Sequence, residues 1–177
     1  MTARAEPRLA MRPMLPQDVP LLAEIFRASI EDLTADDYSE GQREAWASAA
    51  DDVEEFGARL AGALTLVATY EGTAIGFASL ADNKQIDMLY VHPGAAGQGA
   101  GAMLTDALEK LAAGRGTKEL TVEASDTARG FFEKRGFAAK TRNTVFRSGE
   151  WLANTTMVKP LAAKGAGGAE PAKRTLQ

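Results

Sequence analysis

The spacing of hydrophobic and polar residues changes several times along the chain, and each change predicts a new element. Apolar residues at every third or fourth position indicate a helix with one buried face, whereas alternation indicates a half-buried strand. The strand-like runs are Leu9–Leu15, Leu64–Tyr70, Thr73–Leu80, Gln85–Val91, Glu119–Ala124, Ala138–Arg147 and Trp151–Leu161. The helical runs are Val19–Leu33, Tyr38–Ala50, Asp52–Ala63, Gly101–Ala113 and Ser125–Arg135.

The order of these elements predicts an α+β domain with a mixed sheet and helices on both faces, rather than a regular βαβ repeat. The predicted domain spans residues 9–161 and contains no linker-like interruption and no internal repeat. Residues 1–8 and 162–177 are small, polar and aperiodic. Such segments bury too little apolar surface to fold, so we expect a loose N-terminal tail and a disordered C-terminal tail.

Composition narrows the possible functions. The 177 residues fit one domain, and the absence of cysteine excludes thiol catalysis and cysteine-based metal sites. A net charge of −4 without a basic stripe argues against a nucleic-acid partner. No segment resembles a secretory signal, and none approaches the roughly 18 apolar residues of a membrane span. We therefore expect a cytoplasmic protein with no membrane partner.

A glycine-rich turn is the most informative segment. The strand ending at Val91 is broken by Pro93, and Gly97, Gly99 and Gly101 then lead into a helix. Glycines let backbone N–H groups approach an anion closely, and a helix N-terminus adds unpaired donors and a positive dipole end. The turn therefore predicts a binding site for a pyrophosphate.

Several known patterns compete for this turn. A P-loop is excluded because no Gly-Lys-Ser/Thr follows. Residues 97–102 formally fit the dinucleotide pattern G-x-G-x-x-G/A, which would make the protein a nicotinamide-dependent oxidoreductase. However, five residues separate the strand from Gly97, and the acidic Glu119 precedes the next strand instead of ending it. A glycine-rich loop without a ligand also remains open.

Two stretches resemble the GNAT N-acetyltransferase superfamily. Val91-His92-Pro93 followed by residues 96–101 (AGQGAG) is similar to its V-x-P and [QR]-x-x-G-x-[GA] motif, except that Ala96 replaces the usual Gln or Arg. One helix later, residues 120–137 (LTVEASDTARGFFEKRGF) look like its next strand and helix, A-x-x-F-[YF]-E-x-x-G-F. Residues 37–47 and 86–91 and the final strands further resemble the YafP-like bacterial branch.

The resemblance implies a mixed, mostly antiparallel sheet in which acetyl-CoA lies between two splayed strands. It implies an acetyl-CoA-dependent N-acetyltransferase without a metal, in which a small-molecule or peptide amine attacks the thioester directly. Because dimers are common in the superfamily, a homodimer is possible. The alternative is a domain that binds or senses acetyl-CoA with little or no catalysis.

The resemblance also assigns binding residues. Those implied for acetyl-CoA lie on the glycine-turn strand, the turn and the following strand and helix: Met88, Leu89, Tyr90, Val91, Gly97, Gln98, Gly99, Ala100, Gly101, Ala102, Ser125, Phe131, Phe132 and Lys134. Those implied for the acceptor side are Tyr38, Trp46, Trp151 and Asn154. For each of these aromatic residues, ordinary core packing is an equal alternative.

Acetyl transfer requires an amine that loses its proton and a donor for the developing oxyanion. The superfamily uses a backbone N–H at a strand bulge, which would lie near Leu89. Gln85 and Asp87 share one side of their strand, and in the family this side faces the acceptor. Asp87 is therefore the first candidate for a base or an ammonium anchor, with a structural carboxylate as the alternative. Glu123 on the neighbouring strand is the second candidate.

Two further positions bear on proton transfer. His92 is the only histidine, but its place beside Pro93 at the strand end favours a structural role. Phe132 stands where many relatives carry a tyrosine that protonates the leaving thiolate. Because a thiol has a pKa of about 8.5, a thiolate can leave and be protonated by water.

Overall fold

A computed structural model describes residues 8–162, and the predicted tails fall outside this range apart from Arg8 and Ala162. Within it the chain forms seven strands, five α-helices and three short 3-10 turns. The strands are β1 (Leu9–Pro13), β2 (Leu64–Tyr70), β3 (Thr73–Ala81), β4 (Gln85–Val91), β5 (Glu119–Ser125), β6 (Ala138–Arg147) and β7 (Glu150–Pro160). The helices are α1 (Val19–Leu33), α2 (Glu40–Ala47), α3 (Val53–Ala61), α4 (Ala100–Gly114) and α5 (Arg129–Lys134).

The seven strands form one sheet in the order β1-β2-β3-β4-β5-β7-β6. Every neighbouring pair is antiparallel except β4 and β5, which are parallel and are joined by the crossover helix α4. This confirms the predicted mixed, mostly antiparallel sheet.

Two hydrophobic cores lie on opposite faces of the sheet. The core under α4 and α5 includes Leu104, Phe132 and Ala78. The core under α1 and α3 includes Phe26 and Phe77. Because side chains alternate along a strand, the consecutive residues Phe77 and Ala78 enter different cores. The helices therefore cover both faces, as the sequence predicts.

A β-bulge interrupts the alternation in β4. Ser79 of β3 pairs with Met88 while the next residue, Leu80, pairs with Ile86, so Asp87 is the extra residue. In consequence Ile86 packs in the α4-side core but Met88 packs in the α1-side core, although a regular strand would place both on one face. A bulge bends its strand and increases the local twist.

The bulge lies where β4 and β5 separate. Their parallel ladder consists of only two pairs, Gln85 with Thr121 and Ile86 with Val122. Beyond Ile86, β4 stays paired with β3, and beyond Val122, β5 stays paired with β7. The bend in β4 therefore opens a fork in the middle of an otherwise continuous sheet.

Two helices, α2 and α5, are each five residues shorter than the hydrophobic pattern predicts. The first, α2, begins after Ser39, whose hydroxyl accepts the Gln42 N–H, and it gives way to a short turn at Ser48. The other, α5, begins at Arg129 rather than Ser125, because Ser125 ends β5 and its Oγ accepts the Ala128 N–H at 3.1 Å. A serine that bonds a local backbone amide competes with helix formation.

No helix within residues 8–162 combines the length and the apolar character that a membrane crossing demands.

Candidate active site

The fork holds a cleft of about 400 Å³ between β4 and β5. Its walls come from both strands, the glycine-rich turn, the start of α4 and the Phe131–Phe132 side of α5. The volume falls within the roughly 300–1,000 Å³ of typical small-molecule sites.

The glycine turn delivers the N-terminus of α4 to one end of this cleft. Gly97 and Gly99 have φ values of +80° and +94°, a conformation that favours glycine. A Cβ atom added at either position would meet no atom within 4 Å, so both backbones face open space. The first helical bond runs from the Met103 N–H to the Gly99 carbonyl. The preceding amides of the first turn therefore remain free to bind an anion.

Most of the residues that the resemblance implies for acetyl-CoA line the cleft: Met88, Leu89, Tyr90, Val91, Gly97, Gly99, Ala100, Gly101, Ala102, Ser125, Phe131 and Phe132. Gln98 and Lys134 are exposed and lie outside this lining. Phe131 supports the helix start, since a Cβ added at Gly101 would lie 3.6 Å from its ring.

Backbone amides of β4 point into the cleft. The His92 N–H donates to the Ile75 carbonyl at 2.8 Å, which continues the ladder with β3. Because N–H groups alternate between the two edges of a strand, those of Leu89 and Val91 point toward the open edge facing β5. The bulge itself is centred on Asp87, two residues before Leu89, near which the resemblance implies the oxyanion donor.

A second, smaller cavity of about 160 Å³ lies beside the first, on the α1 side of the fork. The two cavities share lining residues, including Asp87, Tyr90 and Glu123. The acceptor-side candidates Tyr38, Trp46 and Asn154 line this second cavity. We call it the acceptor cavity below.

Asp87 lies at the fork but is ion-paired. Its two carboxylate oxygens accept hydrogen bonds from Nε and Nη2 of Arg59, each at 2.9 Å. This bidentate pair raises the pKa of Arg59 through the hydrogen bond to Asp87. Arg59 lies on α3, 28 residues before Asp87, and no local pattern in the sequence indicates the pair.

The carboxylate of Glu123 has a different setting. It is exposed, it lines both cavities, and no hydrogen bond or ion pair engages it within residues 8–162. His92 lies outside both cavities, and its Nδ1 accepts the Gly94 N–H at 3.0 Å. Through this hydrogen bond, His92 stabilises the turn that follows β4.

Tyr38 connects three segments around the acceptor cavity. Its side chain is buried, its hydroxyl donates to the Ala153 carbonyl at 2.7 Å, and the same oxygen accepts the Asp126 N–H at 2.9 Å. Burial raises the pKa of this phenol. The connection holds the α1–α2 loop against β7 and the end of β5.

We expect Tyr38→Phe to lower the free energy of unfolding by about 1–3 kcal/mol, because two part-buried hydrogen bonds are lost and each typically contributes about 0.5–1.5 kcal/mol. Tyr70→Phe is the matched control, since Tyr70 is 36% exposed and its hydroxyl makes no hydrogen bond among the described residues. Urea unfolding of both variants measures the difference. Equal stability of the two variants would contradict the role of Tyr38.

Tyr90 and Trp46 form the wall between the two cavities. The Trp46 Nε1–H donates to the Tyr90 hydroxyl at 3.2 Å, and the Tyr90 ring packs against Phe26 with centroids 4.6 Å apart. Burial raises the pKa of Tyr90 to about 12, so the phenol keeps its proton at neutral pH.

Trp151 lies away from the acceptor cavity. On β7 the alternate residues Leu152 and Asn154 line the cavity, whereas the Trp151 side chain is 60% exposed and packs on Phe146. Residues an odd number apart on a regular strand point to opposite faces. The odd spacing of Trp151 and Asn154 in the sequence already indicates opposite faces, whereas the resemblance implies the acceptor side for both.

Two cations, Arg59 and Arg147, line the acceptor cavity although the sequence predicts no role for either there. Arg147 ends β6 and is half-buried. Within residues 8–162, no group of three or more histidine, aspartate or glutamate side chains is arranged to hold a metal ion.

A forked sheet with a glycine-rich helix start at one end of the fork is the architecture of an acyltransferase that uses an acyl-CoA. Comparison with known proteins agrees: a family model described as an acetyltransferase (GNAT) domain matches residues 34–161. The chain belongs to the GNAT acetyltransferase family, as the motifs in its sequence predict.

Individual relatives agree with this assignment. The chain is 32% identical over 149 residues to the uncharacterized N-acetyltransferase YafP of Escherichia coli K12, covering 84% of this chain and 94% of that protein. It is 60% identical to a Rhodopseudomonas palustris protein whose crystal structure is described as a GCN5-related N-acetyltransferase, aminotransferase class II. That match has a TM-score of 0.86 and covers 90% of this chain and all of the other. A PaiA N-acetyltransferase from Thermoplasma acidophilum, in complex with coenzyme A, shares the fold at 23% identity, with a TM-score of 0.71 and coverage of 86% and 98%.

Proposed function

We propose that residues 9–161 transfer an acetyl group from acetyl-CoA to the amine of a small molecule by direct attack. The observation that carries the proposal is the meeting of two features at one fork, the free amides of the α4 N-terminus and the open edge of β4. Two structural neighbours were solved with coenzyme A or acetyl-CoA, which supports this choice of donor.

The pyrophosphate of acetyl-CoA binds the amides of Gly99 to Ala102, where the helix dipole favours negative charge. The pantetheine arm follows the open edge of β4, and the Val91 amide donates to it. The Leu89 N–H points into the cleft and stabilises the oxyanion that develops on the acetyl oxygen. These roles follow from the direction of the amides rather than from any side chain.

Glu123 accepts the proton of the attacking amine, directly or through one water. Its carboxylate borders both cavities and is free of partners among the described residues. Asp87 borders them too, but a proton on it would disrupt the bidentate contact with Arg59. Asp87 therefore holds Arg59 at the acceptor cavity, and the order of the two candidates from the sequence is reversed.

The reaction forms the C–N bond of the amide and breaks the C–S bond of the thioester. Phe132, 2% exposed and packed against Phe131 and Phe137, closes the wall of the cleft and has no proton to give. Water protonates the departing thiolate, which is a stable anion near its pKa of about 8.5.

Calorimetry with acetyl-CoA and a thiol-release assay over a panel of small amines test this function. We expect acetyl-CoA to bind, and the released thiol to equal the acetylated amine formed. Binding without transfer to any amine would indicate the non-catalytic sensing domain instead. Binding of NAD and not of acetyl-CoA would indicate the oxidoreductase.

A further inference from the structure

The acceptor cavity contains more charge than acetyl transfer to a plain amine requires. Its lining includes the cations Arg59 and Arg147 and the carboxylates Asp87 and Glu123. Arg59 and Asp87 neutralise each other in their bidentate pair. Arg147 and Glu123 are left without a hydrogen-bonded or ionic partner within residues 8–162.

Arg147 is aimed into the cavity by the geometry of its hairpin. Val145 and Arg147 are alternate residues of β6 and both line the cavity, whereas Phe146 between them is 58% exposed on the other face. Arg147 pairs with Glu150 as the last register pair before the turn, which fixes the backbone from which its side chain starts. Its positive charge reaches the Tyr90 hydroxyl, where it opposes the rise in the pKa of that phenol.

Glu123, the carboxylate without a partner among the described residues, lies in a different part of the cavity from Arg147. Glu123 lines both the cleft and the acceptor cavity, whereas Arg147 lines the acceptor cavity alone. A small molecule that fills the cavity therefore meets negative charge at the fork and positive charge away from it. The cavity volume of about 160 Å³ means that the part of the acceptor held inside it is small.

Resting on the proposed function, we propose that the acceptor is a small amino carboxylate, whose amine faces Glu123 and whose carboxylate is bound by Arg147. A guanidinium presents its N–H donors in a fork that matches a carboxylate, and this makes arginine a selective partner. The protonated Tyr90 hydroxyl supplies a further donor on the same wall. The Arg59–Asp87 pair adds no net charge, so the selectivity depends on Arg147.

The test compares matched acceptors on the full-length protein. Free amino acids, their carboxamides and the corresponding amines without the carboxyl group are assayed for thiol release at saturating acetyl-CoA. We expect kcat/KM for the free acids to exceed that for the carboxamides at least tenfold, mainly through KM. Loss of a hydrogen bond to a charged group typically lowers binding by at least this factor.

Variants of Arg147 test whether this residue causes the preference for free acids. Arg147→Gln should lower kcat/KM at least tenfold for the free acids and leave the carboxamides nearly unchanged, while Arg147→Lys should restore part of the preference. Lys140→Gln, which removes an exposed cation from the same strand outside the cavity, is the matched control and should change neither. Acetyl-CoA affinity, measured for every variant, shows that the cleft is intact.

The possible outcomes separate the two proposals. Transfer to amines with no preference for free acids would overturn the assignment of Arg147 and leave the acetyltransferase function standing. A preference for free acids that survives Arg147→Gln in a folded variant would also overturn the assignment. Failure of every amine to accept an acetyl group, despite acetyl-CoA binding, would overturn the proposed function and this inference with it.

Discussion

Glu123→Gln is expected to lower kcat/KM for the acceptor by about 10²-fold, the usual scale for loss of a general base. The substitution keeps the size of the side chain and removes its ability to take a proton. Acetyl-CoA affinity should stay the same, because the proposed pyrophosphate and pantetheine contacts come from backbone amides at other residues. Steady-state kinetics for the acceptor and calorimetry for acetyl-CoA measure the two effects separately.

Two matched controls sharpen this result. Glu119→Gln removes an exposed carboxylate from the same strand, outside both cavities, and should leave kcat/KM unchanged. Asp87→Asn removes the other carboxylate of the fork and should cost about tenfold, because it releases Arg59 without removing the proposed base. A larger loss from Asp87→Asn than from Glu123→Gln would reverse the two roles.

Gly99→Val is expected to weaken acetyl-CoA binding by at least about 10²-fold. Valine is strained at a φ of +94°, so the turn must change conformation and move the amides of the α4 N-terminus away from the phosphates. Loss of two charge-assisted hydrogen bonds has this magnitude. Isothermal calorimetry with acetyl-CoA measures the change.

Backbone strain alone would also reduce stability, and Gly116→Val controls for that. Gly116 lies just beyond the other end of α4, has a φ of +90°, and an added Cβ there would also meet no atom within 4 Å. Both variants should lose similar amounts of thermal stability, and only Gly99→Val should lose affinity. Parent-like binding by Gly99→Val would show that the glycine turn is not the pyrophosphate site.

The fold could be predicted from periodicity because each element carries its own local pattern. β4 is recognised from the run at Gln85–Val91 and α4 from the stripe that includes Leu104 and Leu108. Helix ends were harder, since the start of α5 depends on one hydrogen bond of the Ser125 side chain. Helix propensity and hydrophobic periodicity do not reveal that hydrogen bond.

The two cavities were only partly predictable. The glycine turn is local, so the sequence indicates it directly. The pairing of Arg59 with Asp87 joins residues 28 positions apart. The side chain of Arg147 faces the acceptor cavity only because of the register in which β6 pairs with β7. Long-range contacts of this kind leave no periodic signal, so the sequence alone favours Asp87 as the base and does not reveal its ion pair with Arg59.

The bulge at Asp87 makes the number of residues in β4 as important as their identity. Removing Asp87 would make Ile86 and Met88 consecutive partners of Leu80 and Ser79, so the strand would regain plain alternation while every later side chain kept its present face. Met88 and Tyr90 would stay in the layer under α1, and Leu89 and Val91 in the layer under α4, so the deletion would remove the bend without exchanging the two cores. The straightened strand would also be free to pair with β5 along its whole length. Deletion of the Asp87 codon would therefore turn the fork into a closed sheet, an effect that no substitution of Asp87 reproduces.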